Sequence, residues 1–148
     1  MERILVAVDG SASSLKAVGF TADLASKYNA ELILVTVVPY LSTSHDSAIE
    51  EYARLEHIPL ASTELALAMA ESALDSARRE AQAKGATRIA AQPSFCDPAK
   101  EIISIAEDQR VDLVIVGSRG HGRLAGLLMG SVAQKVISLA HCPVTVVR

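Results

Sequence analysis

Glycine, the residue type that best lets a ligand approach the backbone, is concentrated in one short stretch of this chain. Five of the eight glycines lie between Gly117 and Gly130, and Ser131 follows directly. Such a cluster indicates unusual backbone angles or a close approach by another group, because ordering glycine costs conformational entropy. The stretch leads from an apolar run, 113–116, to a helical pattern that begins at Val132. Backbone N–H groups between a strand and a helix N-terminus bind anions, so we expect a phosphate-binding loop here.

The commoner phosphate-binding loops do not fit this spacing. No glycine of the stretch is followed by Lys and then Ser or Thr, so the lysine of a P-loop is missing. Gly120, Gly122 and Gly126 give GxGxxxG, one residue longer than the dinucleotide fingerprint, and they follow the fourth predicted strand instead of the first. The second predicted strand also ends without an acidic residue to hold a ribose. A P-loop NTPase and a Rossmann dehydrogenase are therefore both disfavoured.

Strand and helix patterns alternate along the chain and define the frame for this loop. We predict strands at 4–8, 32–38, 87–92, 113–116 and 144–147, and helices at 11–25, 63–84, 98–106 and 132–140. This order predicts an α/β fold, a single domain over 1–148 with an open parallel five-stranded sheet and helices on both faces. The segment 39–62 is predicted to be an irregular insertion between strand 2 and helix 2. Ligands of such sheets bind at the carboxyl ends of the strands, where the loop begins.

Composition limits the kinds of partner. The chain has 148 residues and a formal net charge of −3, which argues against broad nucleic-acid binding. Its longest apolar run, 32–38, is too short to span a bilayer, and the first residues enter a strand pattern without a signal peptide. Cys96 and Cys142 have no CxxC spacing, so neither a zinc site nor a disulfide framework is indicated. We expect a cytoplasmic protein with no nucleic-acid or membrane partner.

The spacing Gly117-x2-Gly120-x9-Gly130-Ser131 resembles the G-2x-G-9x-G-[S/T] motif of the ATP-binding subclass of universal stress proteins. The resemblance extends over essentially the whole chain. It includes 8–11 after the first strand, 97–98 before the third helix and 141–147 at the end. It implies a Rossmann-like sheet of the adenine nucleotide alpha hydrolase type, for which we predict the strand order 3-2-1-4-5. It also implies ATP as the ligand, with Mg²⁺ held mainly by the phosphates.

The resemblance assigns roles to the loop residues. By similarity, Gly117 and Gly120 lie close to the ribose and the first phosphate. Gly130, Ser131 and the N–H of Val132 hold the outer phosphates. Ser131 also has an interpretation without a ligand. It begins a Ser-Val-Ala-Gln sequence of the capping-box type, which predicts that it caps the helix that follows.

Several residues outside the glycine motif have two interpretations, one as a ligand contact and one as an ordinary structural residue. The family role of Asp9 is a polar contact to a ribose hydroxyl or the adenine edge, and its alternative is an ordinary turn residue. Val37 matches the family position that contacts adenine at the end of strand two, and its alternative is a plain strand valine. Arg119 and Arg123 either steer a triphosphate or are merely solvated.

No nucleophile–base pair and no paired carboxylates are visible, so no residue is assigned a catalytic role. Four residues of the insertion have metal-ligating types but no recognised metal-binding spacing: His45, Asp46, Glu50 and His57. The prediction is an ATP-binding regulatory or stress-response protein in which the nucleotide tunes conformation or partner binding. The alternatives are a slow ATP-hydrolysing enzyme and a dimeric interaction protein with incidental nucleotide binding.

The last predicted strand, 144–147, is apolar and would be an exposed sheet edge in a monomer. Pairing with its symmetry mate would cover that edge, and universal stress proteins commonly dimerise in this way. We therefore expect a homodimer through this strand.

Overall fold

The computed structural model describes residues 1–38, 62–120 and 129–148, and for 62–65 the backbone alone. The predicted insertion at 39–62 lies outside the described residues except for Ser62, which begins a helix. Five strands and four helices alternate in the described part of the chain. The strands are β1 (Arg3–Ala7), β2 (Glu31–Val38), β3 (Ile89–Phe95), β4 (Leu113–Gly117) and β5 (Val144–Val147). The helices are α1 (Ala12–Tyr28), α2 (Ser62–Ala83), α3 (Pro98–Asp108) and α4 (Ser131–Leu139).

The strands form one parallel sheet in the order β3-β2-β1-β4-β5, which confirms the predicted fold class and strand order. The central strand β1 pairs with β2 on one side and β4 on the other. β3 begins two residues later than predicted and continues through Pro93, which lies opposite Thr36 of β2. A proline is tolerated there because β3 is an edge strand and needs no donor on its outer side.

Helices cover both faces of the sheet, so the inner strands are apolar along most of their length. On one face, Ile4, Val6 and Leu34 pack with α1 and α2 in a buried cluster. On the other face, Leu5 and Val35 pack with α3 and α4. Burying each large aliphatic side chain contributes about 1.5–3 kcal/mol, so the two clusters hold the strand ends in fixed relative positions. None of the described helices is long and apolar enough to cross a membrane.

Side-chain caps begin α1 and α3 at the predicted residues. The Ser11 hydroxyl accepts the Ser14 N–H at 3.3 Å. The Asp97 carboxylate accepts the Lys100 N–H at 3.1 Å, and Pro98 follows as the first helical residue. Both caps satisfy N–H groups that have no partner within the helix.

The Asp97 cap predicts part of the acid sensitivity of the fold. The Lys100 N–H lowers the pKa of Asp97 below its ordinary 3.8, and the Lys135 ammonium 3.6 Å away acts in the same direction. Because the folded-state pKa is depressed, this stabilisation is complete above the unfolded-state pKa and is lost as the pH falls through the folded-state value. Asp97→Asn keeps a capping oxygen but cannot titrate. We expect its free energy of unfolding, measured in urea, to fall less than that of the wild type between about pH 5 and pH 2.

Asp97→Ala is the control, because it removes the capping oxygen and should lower the stability at neutral pH as well. Identical pH slopes for the wild type and Asp97→Asn would show that Asp97 makes no such contribution.

Candidate functional site

The glycine loop leaves the sheet at the point where the strand order reverses, between β1 and β4. β1 and β4 are neighbours, yet α1 packs on one face of the sheet and α4 on the other. The carboxyl ends of these two strands therefore border a crevice of the kind in which ligands bind to α/β sheets. The described part of the loop consists of the segment from Gly117 to Gly120 and the return from Met129 to Ser131. The predicted loop residue Arg123 lies outside the described residues.

The backbone of Ser118 holds the two ends of the loop together. Its N–H donates to the Val147 carbonyl of β5 at 2.7 Å, and its carbonyl accepts the Gly130 N–H at 2.8 Å. Ser118 is buried, so neither hydrogen bond is exposed to much competition from water. Sequence reasoning missed this residue, because a serine between a glycine and an arginine carries no signal for a backbone role. Ser118 thus sets the position of α4 relative to the sheet.

Unusual backbone angles do not explain the three motif glycines that the structure describes. Among the described residues, positive φ values occur at Gly10, Gly85, Asn29 and Arg110, and at no glycine of the motif. The other explanation, close approach by another group, is therefore the one to test at each position.

At Gly117 the close neighbour is part of the protein itself. A methyl group built on Gly117 would lie 2.9 Å from both the Ser13 carbonyl carbon and the Ser14 nitrogen. Real side-chain carbons do not come so close to backbone atoms. The first turn of α1 therefore requires a glycine here, whether or not a ligand binds.

At Gly120 the close neighbour is Asp9, as the adjacency of β1 and β4 predicts. A methyl group built on Gly120 would lie 2.5 Å from Asp9 Oδ2. The other carboxylate oxygen, Oδ1, accepts the Ser11 N–H at 2.9 Å and closes a turn after β1. The turn interpretation of Asp9 therefore holds, and the same side chain also lies beside the loop.

Gly130 differs because nothing in the described structure requires a glycine there. It is the N-cap of α4 with φ −73° and ψ 156°, an extended conformation that any residue adopts. A methyl group built on it would find its nearest described neighbour, the Ser118 carbonyl oxygen, at an ordinary 3.6 Å. The fold therefore tolerates a side chain at Gly130, and the helix N-terminus beside it has no side-chain cap, as an anion-binding helix end requires.

The capping-box interpretation of Ser131 is wrong, because α4 begins one residue earlier than that pattern needs. Ser131 is the first helical residue, and its hydroxyl has no hydrogen-bond partner in the described part of the chain. The first intrahelical bond runs from the Gln134 N–H to the Gly130 carbonyl at 3.1 Å. The N–H groups of Ser131, Val132 and Ala133 precede that bond and point out of the helix end. With the hydroxyl, they form a set of donors suited to an anion.

Apolar side chains lie on the same face of the sheet as the start of α4. Val37, at the carboxyl end of β2, is half-buried and packs on the α3–α4 cluster together with Ala7, Met129 and Val132. These residues come from two neighbouring strands and from the return of the loop. They give the crevice an apolar side next to the donor set, which suits a ligand with a flat apolar ring and a charged tail.

Arg119 is positioned by α1. The hydroxyl groups of Ser13 and Ser11 both donate to the Arg119 carbonyl, the second at 3.3 Å. The Arg119 side chain is exposed. In the described part of the chain, no group of three or more His, Cys, Asp or Glu side chains is placed to hold a metal ion.

Comparison of the chain with known proteins finds relatives in a single family. The model of the universal stress protein family matches residues 1–148. The chain is 32% identical to universal stress protein YxiE of Bacillus subtilis, covering 99% of this chain and 98% of that protein. It is 31% identical to universal stress protein MJ0531 of Methanocaldococcus jannaschii, covering 99% and 82%. A solved universal stress protein in complex with cAMP aligns at a TM-score of 0.71 and 28% identity, covering 99% of this chain and 96% of that one.

The two ends of the motif should respond differently to substitution in the absence of any ligand. Gly117→Ala forces α1 away from β4, and overpacking of this kind costs about 1–3 kcal/mol. Gly130→Ser adds a β-carbon that makes only ordinary van der Waals contacts, at a position where serine is the better cap, so stability should be unchanged or rise by a few tenths of a kcal/mol. Thermal and urea unfolding of the nucleotide-free variants measures both effects. Equal destabilisation by the two substitutions would contradict this separation.

Proposed function

The chain belongs to the universal stress protein family, and on that premise we propose that it binds ATP at the Gly117–Ser131 loop. In this proposal the bound nucleotide tunes the conformation of the protein or its choice of partner. The observation that carries the proposal is the start of α4, where Gly130 is the N-cap and no side chain caps the N–H groups that follow it. The Mg²⁺ ion would be held mainly by phosphate oxygens and water.

The donors at α4 are sufficient for binding without a P-loop lysine. The N–H groups of Ser131, Val132 and Ala133 have no intrahelical partner, and Ser131 adds a hydroxyl at the same helix end. A hydrogen bond to a charged group contributes roughly 1.5–3 kcal/mol. Four such bonds offset much of the association cost and are compatible with about micromolar affinity, near −8 kcal/mol. The helix N-terminus adds a favourable field for negative charge.

The adenosine part of the ligand would occupy the crevice between the loop and β2. Asp9, beside Gly120, offers a carboxylate oxygen to a ribose hydroxyl or the adenine edge. Val37 belongs to the apolar side on which the adenine ring would lie. The similar structure in complex with cAMP supports an adenine nucleotide as the ligand class.

A regulatory role fits the site better than efficient catalysis. We assign no catalytic residue, because the donor set binds charge but supplies no base for an attacking water. Slow ATP hydrolysis remains the alternative, and its signature would be turnover abolished by changing Asp9 or Ser131. We place the protein in the cytoplasm as part of the same proposal.

ATP binding can be tested with paired substitutions in α4. We expect calorimetric titration to give about micromolar affinity for the wild type. In Gly130→Ser, the new hydroxyl accepts one of the N–H groups and competes with the phosphate, so ATP should bind at least about tenfold more weakly. Ser131→Ala should weaken ATP binding by loss of one donor. Ser138→Ala, the same change at the far end of α4, is the control and should leave the affinity unchanged. Normal ATP affinity in Gly130→Ser would refute the assignment of the phosphate site.

We also propose a homodimer through β5. This strand is the edge of the sheet next to β4, and its four residues are all half-buried. The Val114 N–H donates to the Pro143 carbonyl and the Ser118 N–H to the Val147 carbonyl. Peptide groups alternate in direction along a strand, so Thr145 bonds toward β4 and Val146 points its N–H outward. The outward groups are free to pair with a second copy of the strand.

This alternation gives a matched pair of proline substitutions. Val146→Pro removes an outward N–H and should convert a wild-type dimer into a stable monomer in sedimentation experiments. Thr145→Pro removes an N–H that bonds to β4, so it should lower the unfolding temperature as well. A wild-type chain that sediments as a monomer at all concentrations would end the proposal.

A further inference from the structure

A cavity lies beside the first residues of the glycine loop, on the side of α1. It has a volume of about 430 Å³ and opens between α1, the segment 118–120 and the end of β5. Its wall includes Lys16, Arg119 and Arg148, and we call it the α1–β5 cavity.

The charged residues among the described lining of the α1–β5 cavity are all cationic. Three cationic side chains from three different parts of the chain line it, and the Asp9 carboxylate lies behind the wall, against Gly120 and the Ser11 N–H. Lys16, Arg119 and Arg148 form no ion pair with any residue in the described ranges, whereas Arg3 and Lys135 each pair with a carboxylate. Like charges gathered around one space repel each other, and an anion with two or more charges relieves that repulsion.

The serine hydroxyls of the cavity serve to position Arg119. Ser11 and Ser13 both donate to the Arg119 carbonyl, so the backbone of this arginine is fixed against α1. The hydroxyls are thereby occupied, and the cationic groups remain as the donors for a ligand. A guanidinium group presents paired N–H donors that match the oxygen atoms of a phosphoryl group.

The α1–β5 cavity is separate from the start of α4. The first turn of α1 lies on Gly117 so closely that a methyl group there would contact the Ser13 and Ser14 backbones. The segment 118–120 lines the cavity, and the start of α4 contacts the backbone of the same segment. α4 begins on the opposite face of the sheet, against the other buried cluster.

We propose that the α1–β5 cavity binds a compact phosphorylated anion carrying at least two negative charges, held by Lys16, Arg119 and Arg148. The site is independent of the proposed nucleotide site and does not require it. Ser118 and Arg119 belong both to the glycine loop and to the wall of the cavity. An anion bound here would therefore contact the loop from the side of α1.

Pyrophosphate is the probe for this proposal. In an amide NMR titration of the full chain at constant ionic strength, pyrophosphate should shift the signals of 11–16, Arg119 and Arg148 in a saturable manner. Sodium chloride of equal ionic strength should not. Inorganic phosphate should produce the same pattern with weaker binding, because it carries less charge. Shifts confined to 131–133, or shifts that do not saturate, would overturn the proposal.

A charge-matched variant completes the test. The double variant Lys16→Gln with Arg148→Gln should bind pyrophosphate at least about tenfold more weakly. Lys16→Gln alone should also weaken binding, whereas Lys27→Gln, which removes the same single charge at the other end of α1 and outside the cavity, should bind normally. The double variant should retain the wild-type affinity for ATP, and Gly130→Ser should retain the wild-type affinity for pyrophosphate at this cavity. Equal weakening of pyrophosphate binding by Lys27→Gln and by the double variant would mean general charge attraction and would refute a specific site.

Discussion

The arrangement of the site depends on the two hydrogen bonds made by the backbone N–H and carbonyl groups of Ser118. One bond holds the end of β5 to β4, and the other holds the N-terminus of α4 through Gly130. A displacement of α4 would therefore be transmitted through a single residue to the edge strand of the sheet. Our proposals place a ligand at the start of α4 and a partner subunit at β5. The shared residue is the physical route by which one could influence the other.

α4 lacks the side-chain cap that α1 and α3 both have. α1 and α3 are closed by the side chains of Ser11 and Asp97, while α4 begins at a glycine with no side-chain cap. Glycine at this position is a few tenths of a kcal/mol less favourable than a capping serine, so the cost to the fold is small. In the proposed function, a ligand bound to the N–H groups of α4 stabilises the folded state and offsets that cost.

The parts of this structure that could be predicted are those with local or family signals. Alternating strand and helix patterns gave the element order, and the Asp97-Pro98 pair gave the start of α3. The capping box at Ser131 failed because its spacing matches one residue away from the real helix start, and a one-residue offset depends on the Gly130–Ser118 hydrogen bond. The role of Ser118 and the convergence of Lys16 with Arg148 depend on contacts between residues distant in the chain. No local pattern encodes such contacts.

The motif glycines combine constraints of different physical origin, which a spacing rule alone cannot separate. Gly117 is required because α1 packs directly on it, and Gly120 lies against the Asp9 carboxylate. Gly130 has ordinary angles, and a β-carbon there would make only ordinary van der Waals contacts, so the fold would accept another residue at this position. A substitution at Gly117 that abolishes ligand binding would therefore say little about the ligand, because the fold changes as well. Gly130 is the position at which binding can be altered while the fold is preserved, and evidence for the phosphate site has to come from there.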